Sequence, residues 1–234
     1  MMINAPTYVG AIFGLTALAT AGAFLLAVYR HSANSRVGRL VIMMMPFWMV
    51  AQALAAVSGF YQNTSAVPPR LFLTGVLPAL VSMIVCFLFF RSDLFESLPL
   101  RFLTLIHVVR IPVELVLLWL FQSGDVPRIM TFEGWNFDIL SGLLSPIVYL
   151  ISFRSSEINR SVLIVYNIVG LVLLANIVSI AIMSLPSPIQ QLAFEQPNRA
   201  VLYFPYIWLP AVVVPIVLFS HLASLWKLAT GRIA

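Results

Sequence analysis

Three ionisable residues in one apolar run have the types and spacing for chemistry. The run 101–121 reads RFLTLIHVVRIPVELVLLWLF. His107, Arg110 and Glu114 fall at i, i+3 and i+7, and on a helix they share one face within about 60°. Each ionisable group at the centre of a bilayer costs about 2.5–3.5 kcal/mol on insertion scales. Such a face must therefore look into a helix bundle or a wet cavity. Pro112 lies between the charges and cannot donate to the Val108 carbonyl, so a kink and a freed acceptor are expected beside them. The chemistry on offer is ligand binding or proton transfer. The plain structural reading is a buried Arg110–Glu114 pair, although Arg before Glu is the weaker order for an i,i+4 pair.

The segment after this run, DVPRIMTFEGWNFDILSG, adds Glu133, Asn136 and Asp138 among Phe132, Trp135 and Phe137. A Trp at the headgroup level and Asp138 or Asn136 as a helix N-cap would anchor it. A binding role can coexist with that anchoring. Beyond it, Asp138, Ser141, Gly142, Ser145, Tyr149 and Ser152 form one stripe, which reads first as small-residue packing. His107, Arg110, Glu114, Glu133, Asn136 and Asp138 are together the candidate ligand-binding set, lining one outward-opening cavity.

Other chemistries find less support. His107 and His221 each lie about 9 Å from the same boundary, which keeps a bis-histidine haem as an alternative. Otherwise no cofactor is expected. Neither HExxH nor a cysteine pair occurs, and His31 is placed in a loop, so no metal site is expected. Ser220 and His221 are adjacent and point to different faces. No glycine-rich phosphate loop is present. Gln52, Asn167, Asn176, Tyr203, Tyr206 and Pro210 read as packing residues, with Asn167 and Asn176 on opposite sides of their helix.

The elements that must hold these residues are set by composition. The chain has 234 residues, 61% hydrophobic and 9% charged, with a mean hydropathy of +1.01. A soluble domain carries about 25% charged residues, so the chain reads as an all-α polytopic membrane protein. Seven apolar stretches are long enough to span, at 7–29, 40–61, 71–90, 101–121, 137–154, 161–184 and 203–227, in one transmembrane domain over 1–234. The fifth is the shortest. The longest connection, 185–202, reads as an ordered surface loop. Gly10, Gly14, Ala17 and Ala21 form a small-residue stripe for close helix approach. The start MMINAPTY has no Lys or Arg before its apolar run, unlike a signal peptide. The lone Cys86 permits no internal disulfide.

Twelve arginines and one lysine give a net charge of +5. Nine of these thirteen fall after the first, third, fifth and seventh stretches (Arg30, Arg36, Arg39, Arg91, Arg101, Arg154, Arg160, Lys227, Arg232) and three on the other side (Arg70, Arg128, Arg199). That bias puts the N-terminus outside and the C-terminus in the cytoplasm. Asp125, Glu133, Asp138 and Glu195 lean outward. No basic run with interleaved aromatics suggests nucleic acid as a partner. The expected partners are the lipid bilayer and a small solute or lipid-like ligand, and a homo-oligomer is compatible.

The first stretch ends LLAVYRHSANSRVGRL and the fifth VYLISFRSSEINRSVL; the third contains VLPALVSMIVCFLF and the seventh WLPAVVVPIVLFSH. A 3+1+3 parallel repeat follows, with the fourth helix as connector. In architecture this resembles sugar-efflux and PQ-loop transporters and the microbial opsins. No Pro-Gln pair occurs in the first or fifth helix. The only lysine, Lys227, sits at a helix end, so a retinal Schiff base is excluded. RIPVE followed by MTFEGWNFDIL is similar to stretches of uncharacterised bacterial seven-helix membrane proteins, which implies a multi-pass protein of the bacterial inner membrane. A transporter or permease for a small solute or ion is the first functional expectation. A membrane-embedded enzyme acting on a lipid-like substrate, with Glu114 or Asp138 as acid/base and His107 as partner, is the alternative. A membrane sensor or receptor comes third.

The orientation is testable by labelling in sealed cells after Cys86→Ser. A cysteine placed at Thr64 should react with an impermeant maleimide and one placed at Ser155 should not; the reverse pattern would invert the orientation.

Overall fold

The computed structural model describes residues 3–155 and 157–232. The chain is all-helical, with no strand among the described residues. Among the described residues seven helices of more than ten residues form it: α1 Thr7–Ser32, α2 Arg36–Val57, α3 Phe72–Phe89, α4 Leu100–Gln122, α5 Ile139–Phe153, α6 Arg160–Met183 and α7 Leu209–Thr230. All but α5 are long and apolar enough to cross a membrane. The fifth stretch is thus shorter than expected. Its 15 residues rise about 22 Å, below the usual span.

Local chemistry sets the other boundaries. Ser35 caps α2 by accepting from the Gly38 N–H at 2.9 Å. Gly59, at φ +76°, follows the end of α2 in a left-handed conformation that a Cβ would strain. α1 continues to Ser32, so His31 lies in its last turn rather than in a loop. The stretch expected to begin at 203 becomes helical only at Leu209, since Pro205 and Pro210 lack the N–H groups an earlier start would need.

Two prolines inside the helices free carbonyls that side chains of α2 then fill. Pro78 has no N–H for the Thr74 carbonyl, and Gln52 of α2 donates to it at 2.9 Å. The Gln52 Oε1 accepts from Tyr61 Oη at 2.5 Å. Pro215 has none for the Ala211 carbonyl, and Trp48 Nε1 donates there at 3.0 Å. Trp208 Nε1 returns a bond to the Met49 carbonyl at 3.0 Å, pairing α2 with α7. In α4 the turn Ile106–Val109, just ahead of Pro112, tightens to 3-10 winding.

α4 and α7 are the centre of the bundle, with 56% of their apolar windows buried against 6% for α3. No residue of Leu77–Phe89 is buried. The small stripe of α1 packs inward: Ala17 and Ala21 are buried, while Gly10 and Gly14 face Pro205.

Each end of the bundle is tied by one buried ionisable group. At one end Asp125 Oδ2 accepts from the N–H groups of Asn4 and Ala5 at 2.9 and 2.8 Å, and Arg199 lies 3.5 Å from Oδ1. Burial pushes the Asp125 carboxyl up, while the Ala5 and Asn4 amides and then Arg199 pull it back. The Asp125 carbonyl accepts from Arg199 N and Ala200 N. The connection 185–202 is therefore not purely a surface loop: Asn198 and Ala200, Val201 and Leu202 are buried. At the other end Lys227, fully buried, donates to the carbonyls of Glu96 and Leu98 at 2.8 and 2.9 Å. Arg232 pairs with Glu96 beside it.

Removing the Asp125 carboxylate strands two amide donors. Asp125→Ala should lower stability by about 1–3 kcal/mol, and Asp125→Asn, which keeps one acceptor, by less. Thermal unfolding in one detergent would show the order; equal loss from both would discount the amide bonds.

Candidate functional site

The predicted α4 face is buried as a unit: His107, Arg110 and Glu114 are 0%, 3% and 2% exposed. What they face was decided by the neighbouring helices. Arg110 Nη1 pairs with Asp138 Oδ1 at the start of α5, and Nη2 lies 2.9 Å from His221 Nε2 on α7. The expected Arg110–Glu114 pair is replaced by this one, as the i,i+4 order disfavours it and α5 offers a better-placed carboxylate. Asp138 is correspondingly not a side-chain N-cap. Asn136 accepts the Asp138 N–H through Oδ1 at 3.0 Å. Its Nδ2 donates to Glu114 Oε1 at 2.6 Å and to the Met130 carbonyl at 2.9 Å.

Hydrogen bonds fix the His221 tautomer. Asn167 Nδ2 donates to the Leu163 carbonyl at 2.8 Å, leaving Oδ1 as an acceptor 2.8 Å from His221 Nδ1. Nδ1 therefore carries the proton, and Nε2 accepts from Arg110. His107 stacks on His221, with centroids 3.8 Å apart and planes at 17°, and meets Tyr166 edge-on at 5.8 Å. Neither His107 nitrogen has a partner among the described residues. Gly170 makes room for the pair: a Cβ there would lie 2.3 Å from His221 Cε1. Tyr166 Oη donates to the Ser141 carbonyl at 2.9 Å and Ser145 Oγ to that of Thr104 at 2.7 Å. The α5 stripe is thus a packing seam that presses Gly142 against Arg110 and Ile111.

Of the six predicted residues, five gather here and Glu133 does not: it is exposed on a turn. His221, Asn167, Tyr166 and Gly170 complete the cluster. Equal depth with His107 was the one sequence signal for His221; Asn167 and Tyr166 gave none beyond their polarity. Face-to-face stacking leaves no gap for a porphyrin between the imidazoles, and both His221 nitrogens are engaged, so the pair does not fit haem. Among the described residues no three His, Cys, Asp or Glu side chains group to hold a metal ion.

Glu114 and Asp138 also line a cavity of about 130 Å³. Its wall is otherwise apolar and almost entirely aliphatic, with Phe72 its one aromatic residue and Asn198 the remaining polar one. Glu114 Oε2 and Asn198 Oδ1 are buried without partners. Phe72 of α3, Ile182 at the end of α6 and Ile189 beyond it line the cavity and are 36%, 37% and 42% exposed. The cavity thus reaches the apolar outer surface between α3 and α6.

The Arg110–Asp138 pair should behave as an integrated buried pair. Arg110→Met alone strands a buried carboxylate and should cost about 3–5 kcal/mol, whereas adding Asp138→Leu should recover much of the loss. Thermal unfolding of both single variants and the double variant gives the coupling; additive losses would argue against the pair.

Residues 67–229 match the model of a family described as a Domain of unknown function (DUF8737). The match runs from just before α3 into the last turn of α7 and contains every residue of the cluster. No curated protein matches the chain, and no solved structure does. With more than half its length matched, the chain belongs to the DUF8737 family.

Proposed function

We propose that this protein is a multi-pass membrane carrier for a small amphiphile, which enters sideways from the bilayer and is held by Glu114 and Asp138. The observation that carries this reading is an apolar cavity ending on two buried carboxylates and reaching the outer surface between α3 and α6. A fully hydrophilic solute would lose its hydration against an aliphatic wall with few partners. An amphiphile keeps its apolar body in the wall and spends its few polar contacts on the carboxylates. The sparse burial of α3 supports movement of that helix, since elements with few buried contacts open at low cost.

The arginine–lysine bias gives the orientation: N-terminus outside, with the cavity in the outer half of a bacterial inner membrane. The six predicted residues act unequally in this reading. Glu114 and Asp138 face the ligand, Arg110 and Asn136 hold them in place, His107 lies beneath, and Glu133 stands at the surface. A second reading, an enzyme acting on a lipid-like substrate, draws on Glu114 alone. Asn136 holds one of its oxygens and leaves the other unpartnered, as an acid/base carboxyl requires.

Ala181 lines the cavity, and Ala181→Phe should fill it. The fluorescent apolar probe 1-aminoanthracene should bind wild-type protein in nanodiscs and bind the variant at least about tenfold more weakly, a loss of about 1.4 kcal/mol. Unchanged binding would remove the cavity from the function. Uptake of the probe into sealed vesicles separates the carrier from the enzyme, which would alter a substrate's mass in detergent.

A further inference from the structure

The polar atoms of the cavity point to one headgroup chemistry. Glu114 Oε2 and Asn198 Oδ1 are both acceptors, both buried and both without a partner. Glu114 and Asn198 are 2% and 1% exposed. The third polar lining residue, Asp138, is another carboxylate. No lining side chain offers an unpartnered donor among the described residues.

The charges around it agree. Two carboxylates, Glu114 and Asp138, face one guanidinium. Arg110 is engaged by Asp138 and by His221 and does not line the cavity. His221 is neutral when it accepts from Arg110, and Tyr166 bonds to the Ser141 carbonyl. His107 stacks on His221, and its nitrogens make no bond to a carboxylate. Glu114 is therefore left with a neutral amide, Asn136, as its hydrogen-bond partner and with no cation in contact.

We propose that the ligand of this cavity is a protonated primary amine on an apolar body, its ammonium seated on Glu114 with Asn198 as a second acceptor. The inference rests on the carrier reading above. An ammonium brings three donors and no acceptor, and it supplies the positive charge that the cavity lacks. A carboxylate headgroup would meet like charge and lone pairs. A quaternary ammonium would bring charge without a donor. A hydroxyl would bring one donor without charge.

Displacement of 1-aminoanthracene in phosphatidylcholine nanodiscs tests the headgroup, with Ala181→Phe as the reference for partition into lipid. Octylamine should displace the probe at a concentration lower by about tenfold or more than octanoate, with octyltrimethylammonium between them. Glu114→Gln should remove most of that preference, and Asn198→Leu should reduce it. Retained probe binding shows that each variant still folds. Should Glu114→Gln fail to fold, the octylamine-to-octanoate ratio in wild type and in Asn198→Leu decides the matter. Octanoate displacing the probe as well as octylamine does, or better, would overturn the amine while leaving the cavity reading intact. Failure of the wild type to bind the probe would overturn both.

Discussion

The fold turns on one guanidinium that has no water to turn to. Arg110 is held at 3% exposure in the middle of an apolar bundle, where an unpaired charge would cost several kcal/mol. Two of its nitrogens are satisfied from two different helices, Asp138 at the head of α5 and His221 on α7. Each partner is fixed in turn. Asn136 holds the backbone of Asp138, and Asn167 on α6 holds the far nitrogen of His221. Satisfying Arg110 therefore fixes α4, α5, α6 and α7 relative to one another.

Unsatisfied backbone groups do similar work elsewhere. Gln52 and Trp48, both on α2, reach carbonyls that Pro78 and Pro215 cannot serve. Where water cannot reach such a carbonyl, a polar side chain on a neighbouring helix can take the bond. Asp125 gathers the N-terminal segment and the connection before α7, and Lys227 gathers the segment before α4. These ties leave α3 loosely held, with no residue of Leu77–Phe89 buried.

Looseness and polarity meet in the cavity beside α3. Bundle packing without a hydrophobic drive tolerates a gap where no side chain reaches across. Here that gap ends on Glu114, whose second oxygen is unpartnered. A buried acceptor left open is costly unless something fills it, and this gives the cavity a chemical sense as well as a shape.

The sequence by itself determined the all-helical class, the apolar segments, six of which are long enough to cross a membrane, and the buried face of α4. Composition, the length of each run and the price of charge in lipid are all local or additive quantities. It also indicated Asn136 and Asp138, which follow α4 through a short connection. It did not determine the partner of Arg110. That choice depends on which helices lie beside α4, and His221 is separated from it by 111 residues. The cap expected of Asp138 lost to the stronger demand of a buried guanidinium. The 203–208 segment reads as apolar helix by composition, yet prolines and packing against α1 keep it irregular. Glu133 sits among the same polar residues as Asn136 and Asp138, but turn geometry sends it to the surface. Asn167 gave no signal beyond its polarity, and Gly170 gave none. Their roles exist only where α6 meets α7, as partner of and space for a histidine that tertiary packing brings over Arg110.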